Sequence, residues 1–83
     1  MATPVTVWSK PNCVQCKAVY RALDKGRVPY TVMDLPDFPE KLEQFKARDL
    51  MQAPVVEADG LETFAGFDPG KVAEVVAAHG VVN

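Results

Sequence analysis

Apolar residues recur along this chain with two different periods, and these periods predict alternating strands and helices. Residues 5–8 are β-branched or aromatic and end at a polar loop, which predicts a first strand. From Val14 the apolar positions return at helical spacing as far as Leu23, and Gly26 stands where a C-cap glycine is common. Residues 29–33 predict a second strand. Because a helix connects the two strands, we expect them to be parallel, with a right-handed crossover.

Two prolines mark the starts of two further helices. Pro39 suits the first turn of a helix that ends near Asp49. Asp68 is a good N-cap for another helix, which has Pro69 at its first position. Gly80 is expected to end this last helix. The inward positions are Leu42 and Phe45 in the first of these helices and Val72, Val75, Val76 and His79 in the second.

The remaining segment predicts a β-hairpin. Residues 55–58 and 61–64 are strand-like, and the dipeptide 59–60 (Asp-Gly) between them accepts the positive φ angles of a type I′ turn. The predicted order is therefore β-α-β-α-β-β-α, without a repeat, linker or low-complexity segment. The simplest packing of this order is a single α/β domain over residues 1–83, in which three helices flank a four-stranded mixed sheet.

Composition excludes several classes of function. A chain of 83 residues, 48% hydrophobic and 24% charged, has room for one small core. The net charge of -2 and the sequence pI near 5.2 leave no basic stripe for nucleic acid. No apolar run approaches the roughly 20 residues of a membrane span, and residues 1–4 lack the pattern of a signal segment. We therefore expect a cytoplasmic monomer that binds neither nucleic acid nor membranes.

The chain has two cysteines, and they form the motif Cys13-Val14-Gln15-Cys16 at the predicted passage from strand to helix. Two thiols at this spacing are typical of thiol-disulfide exchange, in which one thiolate attacks a substrate disulfide and the other resolves the mixed disulfide. The positive end of a helix dipole favours a thiolate at Cys13, so we expect its pKa to fall from about 8.5 to near 7. Cys16 lies on the inward stripe of the helix and is expected to be less exposed. We therefore predict that Cys13 is the nucleophile and Cys16 the resolving cysteine.

Other interpretations of the cysteine pair remain open. A structural disulfide would close so short a loop that it stabilises the fold by only about 2 kcal/mol, and cytoplasmic thiols are kept reduced. Zinc needs about four ligands, and beyond the two sulfurs the chain offers one histidine, His79, so no metal site is expected in one monomer. The pair could also hold zinc or an iron-sulfur cluster between two chains, or act as a redox sensor.

Several other residues have a structural as well as a functional interpretation. Lys10 could raise the positive potential beside Cys13, although a loop lysine is more often only solvated. On local sequence alone the bond before Pro54 is expected to be trans, with the proline at the start of a strand. Aromatic residues expected in the core or its walls are Trp8, Phe64 and Phe67.

Three segments together resemble a known family. They are residues 10–16 (KPNCVQC), 52–56 (QAPVV) and 64–69 (FAGFDP), and through them the chain resembles the NrdH-redoxins. The resemblance implies a thioredoxin-like fold with a glutaredoxin-like sequence and no bound cofactor. It also implies a cis Ala53–Pro54 bond, where Ala53 pairs strand-like with a substrate segment. By the same resemblance Cys13 and Cys16 are catalytic, and partner contacts come from Lys10, Val14, Gln15, Ala53, Pro54, Gly66, Phe67 and Asp68.

The resemblance also implies the redox partners. Members of the family take electrons from thioredoxin reductase, a flavoprotein that uses NADPH, and deliver them to the large subunit of class Ib ribonucleotide reductase. The alternative is a glutathione-dependent glutaredoxin, which usually has tyrosine before the second cysteine, and a Gly-Gly and an acidic pair near the last helix. Here Gln15 and residues 65–67 stand instead.

The third segment departs from the family pattern, which usually reads Trp-Ser-Gly-Phe-Arg-Pro-Asp. Phe64 lacks an indole donor, Ala65 lacks a hydroxyl, and Asp68 places a negative charge where the family has a guanidinium. We expect these changes to leave the fold and the exchange chemistry intact and to alter partner recognition. A divergent host or phage member of the family, with an altered partner, would explain them.

Overall fold

The structure of the protein, a computed structural model, describes residues 3–80. Within these residues the chain forms four strands and three helices in the predicted order, so the predicted α/β class is confirmed. The strands are β1 (Val5–Ser9), β2 (Tyr30–Asp34), β3 (Val55–Ala58) and β4 (Phe64–Ala65), and the helices are α1 (Val14–Lys25), α2 (Pro39–Ala47) and α3 (Pro69–His79). A 3-10 turn over Leu35–Asp37 precedes α2. Residues 1–2 and 81–83 of the predicted domain lie outside the described residues.

The sheet has the strand order β2-β1-β3-β4 among the described residues. β1 and β2 are parallel, as predicted for strands joined by a helix, and Val5 lies opposite Tyr30. β3 runs antiparallel to β1, with Trp8 opposite Val55, and β4 runs antiparallel to β3. The end of β1, the start of β3 and the end of β4 therefore lie at the same edge of the sheet. We refer to this edge as the upper edge.

Helices cover both faces of the sheet. Side chains alternate between the two faces along each strand, so both faces carry apolar residues that the helices bury. Val5 and Val7 pack with α1 and α3, whereas Trp8 packs with α2. The first core consists of Val5, Val7, Val19, Leu23, Val28, Val56, Ala58, Phe64, Val72 and Val75. The second core consists of Trp8, Leu35, Phe45 and Val55. Full burial of one such large apolar side chain contributes about 1.5–3 kcal/mol, so each core matters in so short a chain.

The predicted hairpin has antiparallel strands, but its turn is longer than predicted. Strand β4 begins at Phe64 rather than at Leu61. A type I′ turn needs positive φ at both central residues, and of the dipeptide 59–60 only Gly60 has it, with a φ of 79°. Leu61 donates its N–H to the oxygen of Ala58 at 3.1 Å, and its side chain packs against the first core. Because this leucine turns inward, residues 61–63 leave the strand register, and the prediction of a strand there was wrong.

Gly26 ends α1, but for a different reason from the predicted one. Its φ of -83° lies in the right-handed region, and the left-handed conformation falls on Arg27, with a φ of 56°. A Cβ added to Gly26 would lie 2.6 Å from Cγ1 of Val76 in α3. The end of α1 therefore approaches α3 too closely to leave room for a side chain.

Substituting Gly26→Ala is expected to lower the free energy of unfolding by about 1–3 kcal/mol, because the added methyl group overpacks the contact between α1 and α3. Val76→Ala removes the methyl groups that the new Cβ would meet. In the Val76→Ala background, the cost of Gly26→Ala should therefore fall below about 1 kcal/mol. Denaturant unfolding of the wild type, both single variants and the double variant measures this coupling. An equal cost in both backgrounds would contradict the close-packing explanation.

A tyrosine pair joins α1 to β2 at the opposite end of the sheet from the upper edge. The rings of Tyr20 and Tyr30 stack with their centroids 5.9 Å apart. The hydroxyl of Tyr30 donates to Oδ1 of Asp24 at 2.9 Å. Burial, together with the Asp24 carboxylate, raises the pKa of Tyr30 from 10.0 to about 12.

The raised pKa of Tyr30 predicts a pH dependence of stability at alkaline pH. The folded state holds this proton more tightly than the unfolded state, so the contribution is present below pH 10.0 and is lost as the pH rises toward about 12. Asp24→Asn is expected to lower the pKa of Tyr30 toward its ordinary value, because it removes the carboxylate. Absorbance titration in a Tyr20→Phe background, where Tyr30 is the remaining tyrosine, measures the shift. An unchanged pKa would show that the carboxylate does not contribute.

Candidate active site

The two cysteines form a disulfide at the start of α1, and their Cα atoms are 5.2 Å apart. Asn12 turns the chain out of β1 with a positive φ of 59°, a conformation that asparagine adopts more readily than most residues. Cys13 follows in an extended conformation as the N-cap of α1. Its Sγ accepts a hydrogen bond from the N–H of Cys16 at 3.1 Å, and its carbonyl accepts one from the N–H of Lys17 at 3.4 Å.

The N-cap position favours the charged form of Cys13 once the disulfide is reduced. N-cap side chains are usually Ser, Thr, Asp or Asn, whose oxygen satisfies a backbone donor that the helix leaves unpaired. Here sulfur takes that place, and a thiolate is both a better acceptor than a thiol and better stabilised by the helix dipole. Cys13 is 8% exposed and Cys16 is 2% exposed, so the capping cysteine is also the more accessible one. Their roles as nucleophile and resolving cysteine remain predictions.

The loop before β3 lies at the same upper edge. Its Ala53–Pro54 bond is cis, which confirms the expectation from the family resemblance and shows that the trans expectation from local sequence was wrong. Pro54 is buried, and its carbonyl accepts a hydrogen bond from the N–H of Gly66 at 2.7 Å. The trans expectation was based only on the residues next to Pro54 in sequence. In the fold, this proline is buried and bonded to Gly66, which is distant in sequence.

Gln15 links the cysteine motif to the loop between β4 and α3. Its Oε1 accepts a hydrogen bond from the backbone N–H of Phe67 at 2.8 Å, across 52 positions of sequence. A backbone N–H can only donate, so the amide oxygen of the glutamine must face it. Gly66 has a positive φ of 77°, and a Cβ there would lie 3.1 Å from Oε1 of Gln15 and 2.7 Å from Oε1 of Gln52. We refer to this meeting of Gln15, residues 52–54 and the backbone of residues 66–67 as the junction.

Exposed side chains, some apolar and some charged, lie around the junction, and we refer to them as the rim. Its apolar members are Val14, which is 81% exposed, Met51 at 65% and Phe67 at 38%. Lys10 and Asp68 are also exposed and add one charge of each sign. The rim therefore offers a partner both apolar surface and charge.

The predicted contact residues divide between the junction and the rim. Those in the junction are Gln15, Ala53, Pro54 and Gly66, and those whose side chains lie on the rim are Lys10, Val14, Phe67 and Asp68. Whether they contact a partner remains a prediction. Met51 and Gln52 were not predicted as site residues. The signals for them in the sequence were their place directly before the Ala-Pro pair and, for Gln52, its place in the segment 52–56.

Two of the three aromatic residues named from the sequence lie in the core, and the third is exposed. Trp8 and Phe64 are each 7% exposed, which confirms their predicted place in the core. The indole N–H of Trp8 donates to Oε1 of Glu57 at 2.6 Å, and Lys41 pairs with the same carboxylate at 3.3 Å. Phe67 instead forms one wall of a shallow apolar groove between α1 and α3. Of the three aromatic residues, Phe67 is therefore the one that a partner can reach.

Among residues 3–80, no group of three or more His, Cys, Asp or Glu side chains is arranged to hold a metal ion. In the same part of the chain, no helix is long and apolar enough to cross a membrane.

Comparison with known proteins identifies the family. A family model described as Glutaredoxin matches residues 5–62. The chain belongs to the glutaredoxin family. A glutaredoxin-like protein NrdH from Lactococcus lactis subsp. cremoris is 34% identical over 71 residues, which cover 86% of this chain and 97% of that protein. The gene 56 protein of Mycobacterium phage D29 is 33% identical over 79 residues, which cover 92% of this chain and 86% of that protein.

A solved structure supports the same conclusion. The glutaredoxin-like protein NrdH-redoxin from Escherichia coli is 30% identical to this redoxin and superposes with a TM-score of 0.78. The match covers 86% of this chain and 92% of that one. The predicted resemblance to the NrdH-redoxins and the predicted thioredoxin-like fold are therefore confirmed. This redoxin is a redox-active, glutaredoxin-like protein with a CxxC disulfide.

In this redoxin, Gly66→Ala is expected to destabilise the junction, because alanine would have to adopt a left-handed backbone and its Cβ would crowd two glutamine side chains. We expect the free energy of unfolding to fall by about 1–2 kcal/mol. Gly70→Ala is the matched control, since a Cβ there would meet only Oδ1 of Asp68, at 3.5 Å, and alanine favours a helix. Denaturant unfolding compares the two variants with the wild type. Equal losses at both glycines would show that the junction is not specially constrained.

Proposed function

We propose that this redoxin is a dithiol electron donor that reduces protein disulfides, with class Ib ribonucleotide reductase as its main acceptor. Thioredoxin reductase, a flavoprotein that uses NADPH, would return electrons to it. The redoxin itself would bind no cofactor and act as a cytoplasmic monomer. The observation that carries the proposal is the cysteine pair at the start of α1, where the sulfur of Cys13 is the N-cap.

The proposed exchange has two displacement steps. In the reduced protein the Cys13 thiolate attacks one sulfur of the acceptor disulfide, a bond forms between these two sulfurs, and the other acceptor sulfur leaves as a thiolate. Cys16 then loses its proton and attacks Cys13, so that the Cys13–Cys16 bond forms and the second acceptor sulfur leaves. Two electrons pass to the acceptor, and its two thiolates take up protons to become thiols.

The geometry of the pair suits the second step. The Cα distance of 5.2 Å lies inside the range that a disulfide accepts without backbone movement, about 4.4–6.8 Å. Cys16 is nearly inaccessible, so an external disulfide reaches Cys13 more readily. A resolving thiol held next to the mixed disulfide reacts within the molecule, and the large effective concentration favours release of the product.

Contacts at the junction favour a protein reductase over glutathione as the electron source. The N–H of Phe67 already donates its hydrogen bond to Gln15. This backbone donor is therefore not free to bind the carboxylate of a small thiol such as glutathione. The Escherichia coli NrdH-redoxin is described as having a thioredoxin-like activity profile, and the likeness of this chain to it supports thioredoxin reductase. The resemblance to the NrdH-redoxins supports ribonucleotide reductase as the acceptor.

NADPH oxidation coupled to disulfide reduction tests the proposal. We expect turnover with thioredoxin reductase, and only the background rate with glutathione plus glutathione reductase. Cys13→Ser and Cys16→Ser should each reduce turnover to background, because each removes one sulfur of the pair. With an oxidised acceptor, Cys16→Ser should accumulate a covalent mixed disulfide, which intact-mass spectrometry detects, and Cys13→Ser should not.

Each contrary outcome favours a named alternative. Turnover only with glutathione would identify a glutathione-dependent glutaredoxin. Turnover with neither system would favour a dedicated reductase, or a redox sensor in which the disulfide changes a binding surface. Stoichiometric metal or an iron-sulfur chromophore in the purified protein would favour a metal-binding module shared between chains.

A further inference from the structure

Two hydrogen bonds fix the segment that carries Asp68. Its Oδ1 accepts from the N–H of Lys71 at 3.2 Å, as the N-cap of α3. The preceding residue, Phe67, donates its N–H to Gln15 in the cysteine motif. The exposed carboxylate of Asp68 is therefore one residue away from a segment bonded to the motif, and a distance on the order of 10 Å from the sulfur of Cys13 is compatible with the reach of these few residues.

We infer that Asp68 shifts the preference of the site toward disulfides that carry a positive charge near the reacting sulfur. This inference rests on the proposed thiol-disulfide exchange and names the substrate class of that site. A fixed carboxylate attracts a cationic group and repels an anionic one as the disulfide approaches Cys13. At roughly 10 Å and low salt, a unit charge changes the rate of approach about two-fold in either direction.

The other charges of the rim give it two sides of opposite sign. Lys10, in the loop before α1, and Lys17, in the first turn of α1, are exposed. Lys71, which follows Asp68 in α3, forms an ion pair with Glu62 at 3.6 Å, and this pairing offsets its charge. The side of the rim at the start of α3 is therefore negative, and the side at the start of α1 is positive. A substrate segment with a basic residue on the α3 side of its cysteine complements this arrangement.

The test compares the reduced protein's second-order rate constants with two small disulfides of opposite charge. Cystamine is dicationic and dithiodiglycolate is dianionic, and the ratio of their rate constants measures charge selectivity. A change in the intrinsic reactivity of Cys13 cancels in this ratio. Asp68→Asn keeps an N-cap oxygen and removes the charge, so we expect the ratio to fall about three-fold at low salt and much less near 1 M salt.

Asp59→Asn is the matched control for the loss of one negative charge. Asp59 is exposed and follows the end of β3, where Ala58 lies opposite Val5, so it stands at the edge of the sheet away from the cysteines. Its substitution should lower the ratio less than Asp68→Asn does at low salt, because Asp59 is farther from the cysteines. Near 0.1 M salt, where the screening length is roughly 10 Å, it should leave the ratio close to that of the wild type.

Each outcome decides a different claim. A ratio unchanged by Asp68→Asn, or lowered equally by Asp59→Asn, would overturn the inference while the exchange itself still proceeds. The protein is reduced with dithiothreitol before the assay, so neither thioredoxin reductase nor glutathione enters the measurement. Reaction with neither disulfide would overturn the proposed exchange and the inference together. A three-fold loss confined to Asp68→Asn would support both.

Discussion

The hydrogen bond from the N–H of Cys16 to the sulfur of Cys13 is the interaction on which the rest of the site depends. A helix begins with N–H groups that its own backbone leaves unpaired, and a cysteine at the N-cap makes one of them a donor to sulfur. Everything that positions the start of α1 therefore positions the reactive atom. The left-handed backbone of Asn12, the parallel pairing of β1 with β2 and the packing of α1 in the first core all contribute.

Two glycines allow the close approaches around this point, for different reasons. Gly26 has an ordinary backbone and lacks a side chain because Val76 of α3 occupies the space. Gly66 has a left-handed backbone and is enclosed by two glutamine side chains. The first glycine sets the spacing of α1 and α3, the helices that begin at the upper edge. The second carries the chain into Phe67, whose N–H bonds the cysteine motif through Gln15. Both glycines therefore determine where the residues of the rim lie.

The residues that depart from the usual family pattern fit this fold without leaving a polar group unsatisfied. Phe64 lies in the first core, where an indole N–H would need a partner. Ala65 pairs with Val55 in the sheet. Asp68 is a favourable N-cap and stabilises the start of α3. Of these residues Asp68 alone is exposed, so the altered recognition that the family comparison suggests falls mainly on its charge.

Short-range patterns were sufficient for the order of the elements and for the cysteine pair, because helical periodicity, capping and the CxxC spacing each depend on a few neighbouring residues. The late start of β4 at Phe64, the contact of Gly26 with Val76 and the bond between Phe67 and Gln15 were not predictable in this way. Each depends on packing between distant parts of the chain, 52 positions apart in the last case. The sequence by itself determined which elements form and where the sulfurs lie along them. Only the tertiary structure decided which backbone donors and glycines hold the site together, because packing brings those residues into contact.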